Sequence, residues 1–236
     1  MRVLWLVVGG AACAPDMNVD ALEVVDDPAE TVGVAEWAGD RERSFGLESG
    51  VVLPEGGGDD GPLLVADSVS GFSDQQGRDG WFYGYLEPDV DNTFLPMDTY
   101  NGGGADPGWY AATGGVFWTM IDAESMHPNG ETTTQGRTPR EQWAVRRWVS
   151  DVEGTVQLTG QFAKISVDGD SNGVAAYVFV DGEMRWAWFL EGWDNTGVAW
   201  EKAVDVRAGS TVDFVLDAWQ SDDRSDRSLF TAQVWL

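Results

Sequence analysis

The sequence predicts an all-β fold, an antiparallel β-sandwich, and three observations support that prediction. Apolar and polar residues alternate in several segments between Trp143 and Leu236, and the side chains of a strand point alternately to the two faces of a sheet. Glycine turns separate these segments at a spacing of roughly 8–12 residues, which is typical of sandwiches and barrels. Helical periodicity is weak along the whole chain, so no long helix is expected.

The chain begins with a pattern typical of an export signal. Met1-Arg2 precede the apolar residues 3–8, and the small residues 9–12 come directly before the only cysteine, Cys13. A charged start, an apolar middle and a small-residue end outline a secretory signal. The Gly-Ala-Ala-Cys stretch resembles the lipobox of bacterial lipoproteins, which implies cleavage after a leader at residues 1–12 and lipid attachment to Cys13. An ordinary secretory signal with an incidental cysteine is the alternative.

Residues 13–62 are expected to form an acidic tether with little regular structure. Residues 16–30 are acidic and hold few large apolar groups, and residues 54–62 read Pro-Glu-Gly-Gly-Gly-Asp-Asp-Gly-Pro, which is a linker by composition. Residues 31–37 and 45–53 have enough apolar side chains for a strand or two. The β-sandwich domain is therefore expected to cover residues 63–236.

The first half of this domain is expected to consist of strands separated by long loops. Polar segments with glycine and proline at residues 100–108 and 127–140 predict loops. Long loops on a rigid β scaffold are where binding surfaces are usually built. The strands are expected at residues 63–69, 80–85, 115–121 and 142–149.

The second half shows the clearest alternation. Every second residue is apolar in each predicted strand, so each is expected to bury one face. Asp181-Gly182 predicts a two-residue hairpin, because Asp-Gly tolerates the positive φ that a type I′ turn needs. The predicted strands cover residues 155–162, 183–190, 211–216 and 229–236.

The charge of the chain excludes some partners. Its 14 basic and 40 acidic residues give a formal net charge of −26. This argues against nucleic acid, whose phosphates need Lys and Arg, and against a basic patch docking on an anionic membrane. Membrane contact is expected only through a lipid on Cys13. The acidity fits a solubility strategy at high salt, or a composition bias of the genome. With one cysteine the chain can form no internal disulfide, so the fold depends on its core.

Several short stretches resemble a known kind of module. Together they resemble an accessory β-sandwich of bacterial extracellular and polysaccharide-processing proteins, of the jelly-roll carbohydrate-binding type, over residues 72–236. The resemblance implies a jelly-roll-type fold and an extracellular, noncatalytic, glycan-associated role, and it supplies no binding residues. The stretches are Gly80-Trp-Phe-Tyr-Gly-Tyr85, His127-Pro128, Ala144-Val-Arg-Arg-Trp148, Gly154-Thr-Val156, Asn172-Gly-Val174, Val180-Asp-Gly182, Asn195-Thr-Gly-Val198, Ala208-Gly209 and Val212-Asp-Phe214.

The 13 tryptophans divide into two groups. Those inside strand patterns are expected in the core: Trp81, Trp148, Trp186 and Trp188. Those in or beside polar loops are candidate platforms for sugar rings, because the C–H patches of a sugar stack on aromatic faces: Trp109, Trp193 and Trp219. Polar neighbours that could orient a sugar are Asp194, Asn195 and Gln220. A tryptophan lid over the end of the sandwich is the alternative.

Asp168, Asp170 and Asn172 precede Gly173 with the spacing that begins a calcium loop. The twelfth position of an EF-hand would be Phe179 instead of Glu, so this is not an EF-hand. The three side chains are predicted to bind Ca²⁺ if another strand contributes a carboxylate. A solvated turn is the alternative, and Asp222, Asp223 and Asp226 form a second acidic loop.

Little in the sequence points to catalysis. His127 is the only histidine, and we expect it to pack a loop without a serine or cysteine nucleophile beside it. Arg146 and Arg147 could serve a polysaccharide lyase, but consecutive strand residues face opposite ways, so one of them is expected to pair with an acid. Paired carboxylates for glycoside hydrolysis stay open, since their separation is spatial.

The leading interpretation is noncatalytic binding of a polysaccharide or glycan by an exported or envelope-anchored β-sandwich. A structural or adhesive envelope lipoprotein that contacts protein partners is the second interpretation. A jelly-roll polysaccharide lyase or hydrolase is the third. The sequence predicts no oligomeric state.

Overall fold

The computed structural model describes residues 61–90, 92–103 and 106–236. The expected leader, Cys13 and nearly all of the expected tether lie outside the described residues. The described residues form an antiparallel β-sandwich, which confirms the predicted fold class. They contain no helix with the length and hydropathy needed to cross a bilayer. The strands are β1 (Leu64–Asp67), β2 (Trp81–Leu86), β3 (Leu95–Pro96), β4 (Thr99–Asn101), β5 (Gly108–Tyr110), β6 (Met120–Ile121), β7 (Ser125–His127), β8 (Trp143–Val149), β9 (Gly154–Lys164), β10 (Val174–Val180), β11 (Glu183–Leu190), β12 (Val198–Val206), β13 (Thr211–Asp217) and β14 (Ser228–Trp235).

The strands form two sheets, here named by their size. The eight-stranded sheet has the order β12-β9-β14-β7-β6-β5-β4, with β1 also paired to β14. The six-stranded sheet has the order β11-β10-β13-β8-β2-β3. From β8 onward the chain crosses repeatedly between the sheets, and only β10 and β11 are joined by a hairpin within one sheet. Asp181 and Gly182 at that hairpin have φ of 50° and 82°, as the predicted type I′ turn requires.

The core lies between the sheets and is rich in aromatic rings. Phe214 packs against Trp200 and Phe230, with ring centroids 5.9 Å apart in both pairs. Trp81 and Trp148 are fully buried there, and Trp186 and Trp188 are half-buried and pack against the same cluster. The prediction that the strand tryptophans belong to the core is confirmed.

Gly160 in β9 leaves space in the core for the ring of Trp200. A Cβ at this position would meet the backbone oxygen of Thr231 and would lie 2.5 Å from the ring of Trp200. The absent side chain therefore lets Trp200 lie flat against β9.

Arg146 and Arg147 point to opposite sides of β8, as predicted. Arg146 is completely buried, and its guanidinium donates to the carbonyls of Phe230 at 3.0 Å and Asp122 at 2.7 Å. Arg147 lies on the outer side and donates twice to the carboxylate of Asp213, at 2.6 and 2.7 Å. The expected ion pair is thus the one made by Arg147.

The structure differs from the predicted elements mainly where strands are short. Of the strand expected at residues 115–121 only β6 forms, after a 3₁₀ turn in which Gly114 and Gly115 have φ of 73° and 69°. The segment expected to be a loop at residues 100–108 overlaps the short strands β4 and β5. Two or three residues are too few for a period of two to be recognised.

Five connections meet at one end of the sandwich, named the loop end here. They are residues 87–94, 128–142, 165–173, 191–197 and 218–227. The opposite end has short turns between β8 and β9, β10 and β11, and β12 and β13. Leu63 and Leu236 lie at this opposite end, where each backbone N–H donates to the other's carbonyl at 2.8 and 2.9 Å.

Candidate binding face

The outer faces of the two sheets differ in chemistry. The outer face of the eight-stranded sheet is polar where β9 pairs with β14: Gln157, Thr159 and Gln161 lie opposite Trp235, Gln233 and Thr231. The outer face of the six-stranded sheet instead carries a second hydrophobic cluster, separate from the core. A strand such as β10, with apolar residues on both of its faces, belongs to a sheet that is covered or used on both sides.

We name this second surface the aromatic face and define it by Trp143, Tyr177, Phe179, Phe189 and Trp219. The ring of Tyr177 stacks on Trp143 at 5.5 Å and meets Phe179 at 6.2 Å. The rings of Phe189 and Trp219 are 5.0 Å apart. Phe189 is 41% exposed, and all the other members except the buried Tyr177 are half-buried. The rings thus form a continuous surface with solvent access.

Backbone register explains why these residues meet. Ala175 of β10 pairs with Phe189 of β11 on one side and with Asp217 of β13 on the other. Tyr177, two residues further along β10, points to the same side. Trp219 follows β13 directly and packs back on Phe189.

Two carboxyl groups, those of Glu141 and Asp217, border the aromatic face at the loop end. The hydroxyl of Tyr177 donates to Asp217 at 3.1 Å, and the indole N–H of Trp143 donates to Glu141 at 2.9 Å. Ser221 Oγ also donates to Glu141. Burial and, to a smaller extent, the nearby charge of Glu141 together raise the pKa of Asp217 to about 7. One proton between the two carboxyls therefore stabilises the pair near neutral pH.

The loop between β13 and β14 is held in an unusual conformation. Trp219, Gln220 and Ser221 have φ of 28°, 56° and 61° in succession, a region that costs a non-glycine residue about 1–3 kcal/mol. The carbonyl of Ser221 accepts the N–H of Thr132 at 2.8 Å, and Asn172 Nδ2 donates to the carbonyl of Trp219. These contacts from two other loops fix the indole of Trp219 over Phe189.

The structure places five of the six predicted ligand-binding residues at the loop end. Trp193 is 70% exposed in the turn after β11, and Asp194 in the same turn accepts the N–H of Thr196 at 2.9 Å. Asn195 and Gln220 are exposed, and Trp219 belongs to the aromatic face. A hydrogen bond of 3.3 Å from Asp168 N–H to the carbonyl of Gly192 joins the loop of residues 165–173 to the Trp193 turn.

Trp109 is the exception, and its prediction as a sugar platform is wrong. It lies in β5 with 5% of its surface exposed, stacked on Tyr83 at 5.8 Å, and its indole N–H donates to the carbonyl of Ser73 at 2.9 Å. The polar residues before it end just before β5, whose central side chain points into the core.

The predicted calcium residues each have a different partner. Asp168 accepts the backbone N–H of Asp170 at 3.0 Å, Asp170 lies 3.8 Å from Arg224, and Asn172 donates to Trp219. Within the described residues no three His, Cys, Asp or Glu side chains come together as a metal site. Calcium binding at this loop stays a prediction.

Two carboxyl groups of the second acidic loop make contacts inside the protein. Asp223 accepts the N–H of Gly130 at 3.0 Å. Asp226 and Lys164 form a fully buried pair at 3.1 Å, and burial raises the pKa of Asp226 and lowers the pKa of Lys164. These carboxyls therefore hold the loop end together from inside.

The connection between β9 and β10 contains a Gly-x-Ser-x-Gly spacing, at Gly169-Asp-Ser-Asn-Gly173. This spacing marks a nucleophile where a strand turns sharply into a helix, whereas here the segment joins two strands. Ser171 Oγ lies 3.3 Å from Asp226 and 3.4 Å from Lys164. The geometry is that of a buried structural network.

His127 is buried in β7 and packs a loop, as expected. Its ring stacks on Trp118 at 5.4 Å, and Nδ1 lies 2.6 Å from the carbonyl of Pro128. Burial lowers the pKa of His127 to about 4, so the ring is neutral at physiological pH and Nδ1–H donates to that carbonyl.

Sequence reasoning missed Glu141, Trp143, Tyr177, Phe189 and Asp217. One signal was available, because residues 174–180 read Val-Ala-Ala-Tyr-Val-Phe-Val and are apolar on both faces. That run indicates that the outer side of its sheet is covered or used. The carboxyl pair had no such signal, since Glu141 lies in the loop before β8 and Asp217 is the last residue of β13.

No protein-family model and no curated protein matches the chain. Three similar solved structures are the CBM51-2 and INT domains of ZmpB from Clostridium perfringens (14% identity, TM-score 0.33), a family 35 carbohydrate-binding module from Clostridium thermocellum (11%, 0.31), and CBM51 of GH95 from Clostridium perfringens with methyl-galactose (12%, 0.32). They cover 74%, 74% and 73% of this chain. The chain spans 29% of the first structure and 98% and 99% of the other two. Similarity at this level assigns no ligand.

Proposed function

We propose that this protein binds a polysaccharide or glycan, without cleaving it, through the aromatic face and the exposed Trp193. The contrast between the outer faces of the two sheets supports this proposal most. Where β9 pairs with β14, one face carries mainly Thr and Gln, whereas the other presents a group of half-exposed rings beside polar loops. Aromatic rings on a rigid sheet offer sugars a flat apolar surface at low entropic cost.

Polar groups at the loop end complement the rings. Asn195 and Gln220 are exposed amides, and the carboxyls of Glu141 and Asp217 border the face. The oxygens of these exposed amides accept hydrogen bonds from sugar hydroxyls, which orients a sugar that stacking alone leaves free to rotate.

The carboxyl pair supports binding better than hydrolysis. Glu141 lies close enough to Asp217 for its charge to raise the pKa of that carboxyl, whereas the two carboxyls of a glycosidase are held apart on either side of the bond that they cleave. Both are also buried and occupied by Trp143, Ser221 and Tyr177. Their hydrogen bonds therefore fit a structural role at the border of the aromatic face better than a catalytic one.

The binding test compares ring deletions on the two sheets. Phe189→Ala, Trp193→Ala and Trp219→Ala are each expected to weaken binding to a responsive polysaccharide about tenfold, which is about 1.4 kcal/mol. Trp235→Ala is the control, because Trp235 is also half-buried but lies on the polar outer face. Affinity electrophoresis over a polysaccharide panel, followed by calorimetry, measures the effect. Methyl-galactose, present in one of the similar structures, is a small probe.

Unchanged binding in all three ring variants would refute the aromatic face as the site. Repeating the titration with CaCl₂ and with EDTA tests the calcium prediction at Asp168, Asp170 and Asn172. Equal affinities in the two buffers would remove that prediction and leave the glycan proposal standing.

We further propose that the protein is exported and anchored by a lipid on Cys13. The charged, apolar and small-residue order of residues 1–12 supports this. Mass spectrometry of the mature N-terminus is expected to show a lipidated Cys13. A mature chain that begins unmodified at another residue would contradict the anchor.

A further inference from the structure

A cleft lies on the outer side of the eight-stranded sheet, beside the short strands β4 to β7. Its volume is about 470 Å³, which accommodates a sugar unit. Its walls are aromatic and its rim is polar: Tyr110, Phe117, Trp118, Asn101, Arg137 and Arg227 line it. None of these residues belongs to the aromatic face, which lies on the outer side of the other sheet.

The two arginines of the cleft differ in their partners. Arg227 is neutralised, because it donates to Asp106 at 2.9 Å, to Asp122 at 2.6 Å and to Ser125 at 3.0 Å. Its charge is therefore committed to holding the β6–β7 turn.

Arg137 has no such partner. Among the described residues no carboxylate lies within 4 Å of it, and its Nε is buried without a hydrogen bond. The guanidinium sits 4.1 Å above the ring of Trp118, and one Nη donates to the carbonyl of Gly115. Among the described basic residues, Arg146, Lys202 and Arg207 also have no ion pair, but of these four only Arg137 lines the cleft. A guanidinium favours a carboxylate in a two-point contact.

We propose that this cleft binds a sugar unit that carries a carboxylate, such as a hexuronic acid. The carboxylate is held by Arg137, which lies over the ring of Trp118, and the apolar face of the sugar ring packs on Tyr110. Asn101 is placed on the rim to hydrogen-bond ring hydroxyls. The negative field of the whole molecule repels an acidic ligand, so local pairing with Arg137 is what makes binding selective.

This second site goes beyond the proposed function, because it is on another sheet and recognises charge. An experiment can refute glycan binding at the aromatic face without refuting uronate binding in the cleft, and the reverse. Loss of binding in the Trp219 variant concerns the aromatic face, and loss in an Arg137 variant concerns the cleft.

The test titrates glucuronate and galacturonate against glucose and galactose by calorimetry. The wild-type protein is expected to bind at least one uronate about tenfold or more tightly than the matching neutral sugar. Arg137→Gln is expected to remove that preference. Arg185→Gln is the matched control, since it makes the same change of charge at an exposed arginine paired with Glu183; it and Trp219→Ala are expected to keep the preference.

The Arg137→Lys variant distinguishes a lost ligand contact from a folding defect. It retains the positive charge but cannot make the two-point contact of a guanidinium with a carboxylate. We expect uronate binding between that of wild type and Arg137→Gln, with circular dichroism unchanged. Equal affinity for acidic and neutral sugars, no saturable binding of either uronate, or an unaffected Arg137→Gln protein would each overturn the proposal.

Discussion

Asp217 lies beside Glu141 at the border of the aromatic face, and burial raises its pKa to about 7 from the ordinary value of 3.8. The unfolded chain loses this proton near pH 3.8, while the folded protein keeps it until about pH 7. Between these values the folded state binds more protons, so the free energy of unfolding falls as pH rises. The stability that this carboxyl contributes is complete at low pH and is lost through pH 7.

Asp217→Asn is therefore expected to flatten the pH dependence of stability. For wild type, this group contributes a fall of up to about 1.4 kcal/mol per pH unit in the free energy of unfolding. Urea unfolding at about pH 5, 6, 7 and 8 measures it. The exposed Asp89 provides the control, and its Asn variant should keep the wild-type slope; the same slope in both variants would contradict the assignment.

Residue-scale patterns also show where sequence reasoning stops. Trp193 and Trp109 both follow a glycine in a polar stretch, yet one is 70% exposed and the other 5%. Sequence spacing does not record that Trp109 pairs with Tyr100 across β4 and β5. Exposure depends on a partner strand that is too short to predict.

At the scale of elements, β9 is the longest strand and pairs on both sides, with β12 and β14. Gly160 lies at its centre, opposite Trp200 on one side and Ala232 on the other. Trp200 can approach β9 only because Gly160 lacks a side chain.

Gly160→Ala is expected to destabilise the fold by about 1–3 kcal/mol, because the added methyl group overpacks a site bounded by backbone. Gly169→Ala is the control, since a Cβ there meets no atom within 4 Å. Chemical unfolding compares the two variants with wild type. Equal midpoints for all three proteins would show that β9 and Trp200 shift apart at little cost.

Long strands with a regular alternation were predictable, whereas the short strands and β12 were not; in β12 the position between Trp200 and Val204 is Lys202, which interrupts the apolar pattern. Strand β11 was predicted at its observed bounds, Glu183–Leu190, because eight residues repeat the period of two four times. Strands β3, β4 and β5 have two or three residues each, and their pairing depends on distant parts of the chain. The candidate site was predictable in its loops, such as Trp193 and Trp219. The aromatic face was missed because it is assembled from three strands and a loop.

For the molecule as a whole, the net charge of −26 dominates. Excess charge of one sign destabilises a compact state through self-repulsion, and salt screens it within about 10 Å at 0.1 M. The free energy of unfolding is therefore expected to rise between about 0.05 and 0.5 M NaCl. Urea unfolding at both salt concentrations measures this, and equal or lower stability at the higher concentration would contradict it.

The pairing of Leu63 with Leu236 determines how the domain is oriented when it is attached to a surface or to a fusion partner. The described domain is entered and left at a single point, at the end opposite Trp193 and Trp219. A surface, resin or fusion partner joined through residue 61 or residue 236 therefore sits behind the molecule, and the loop end faces outward. An immobilised form of the domain would display its loop end without further engineering.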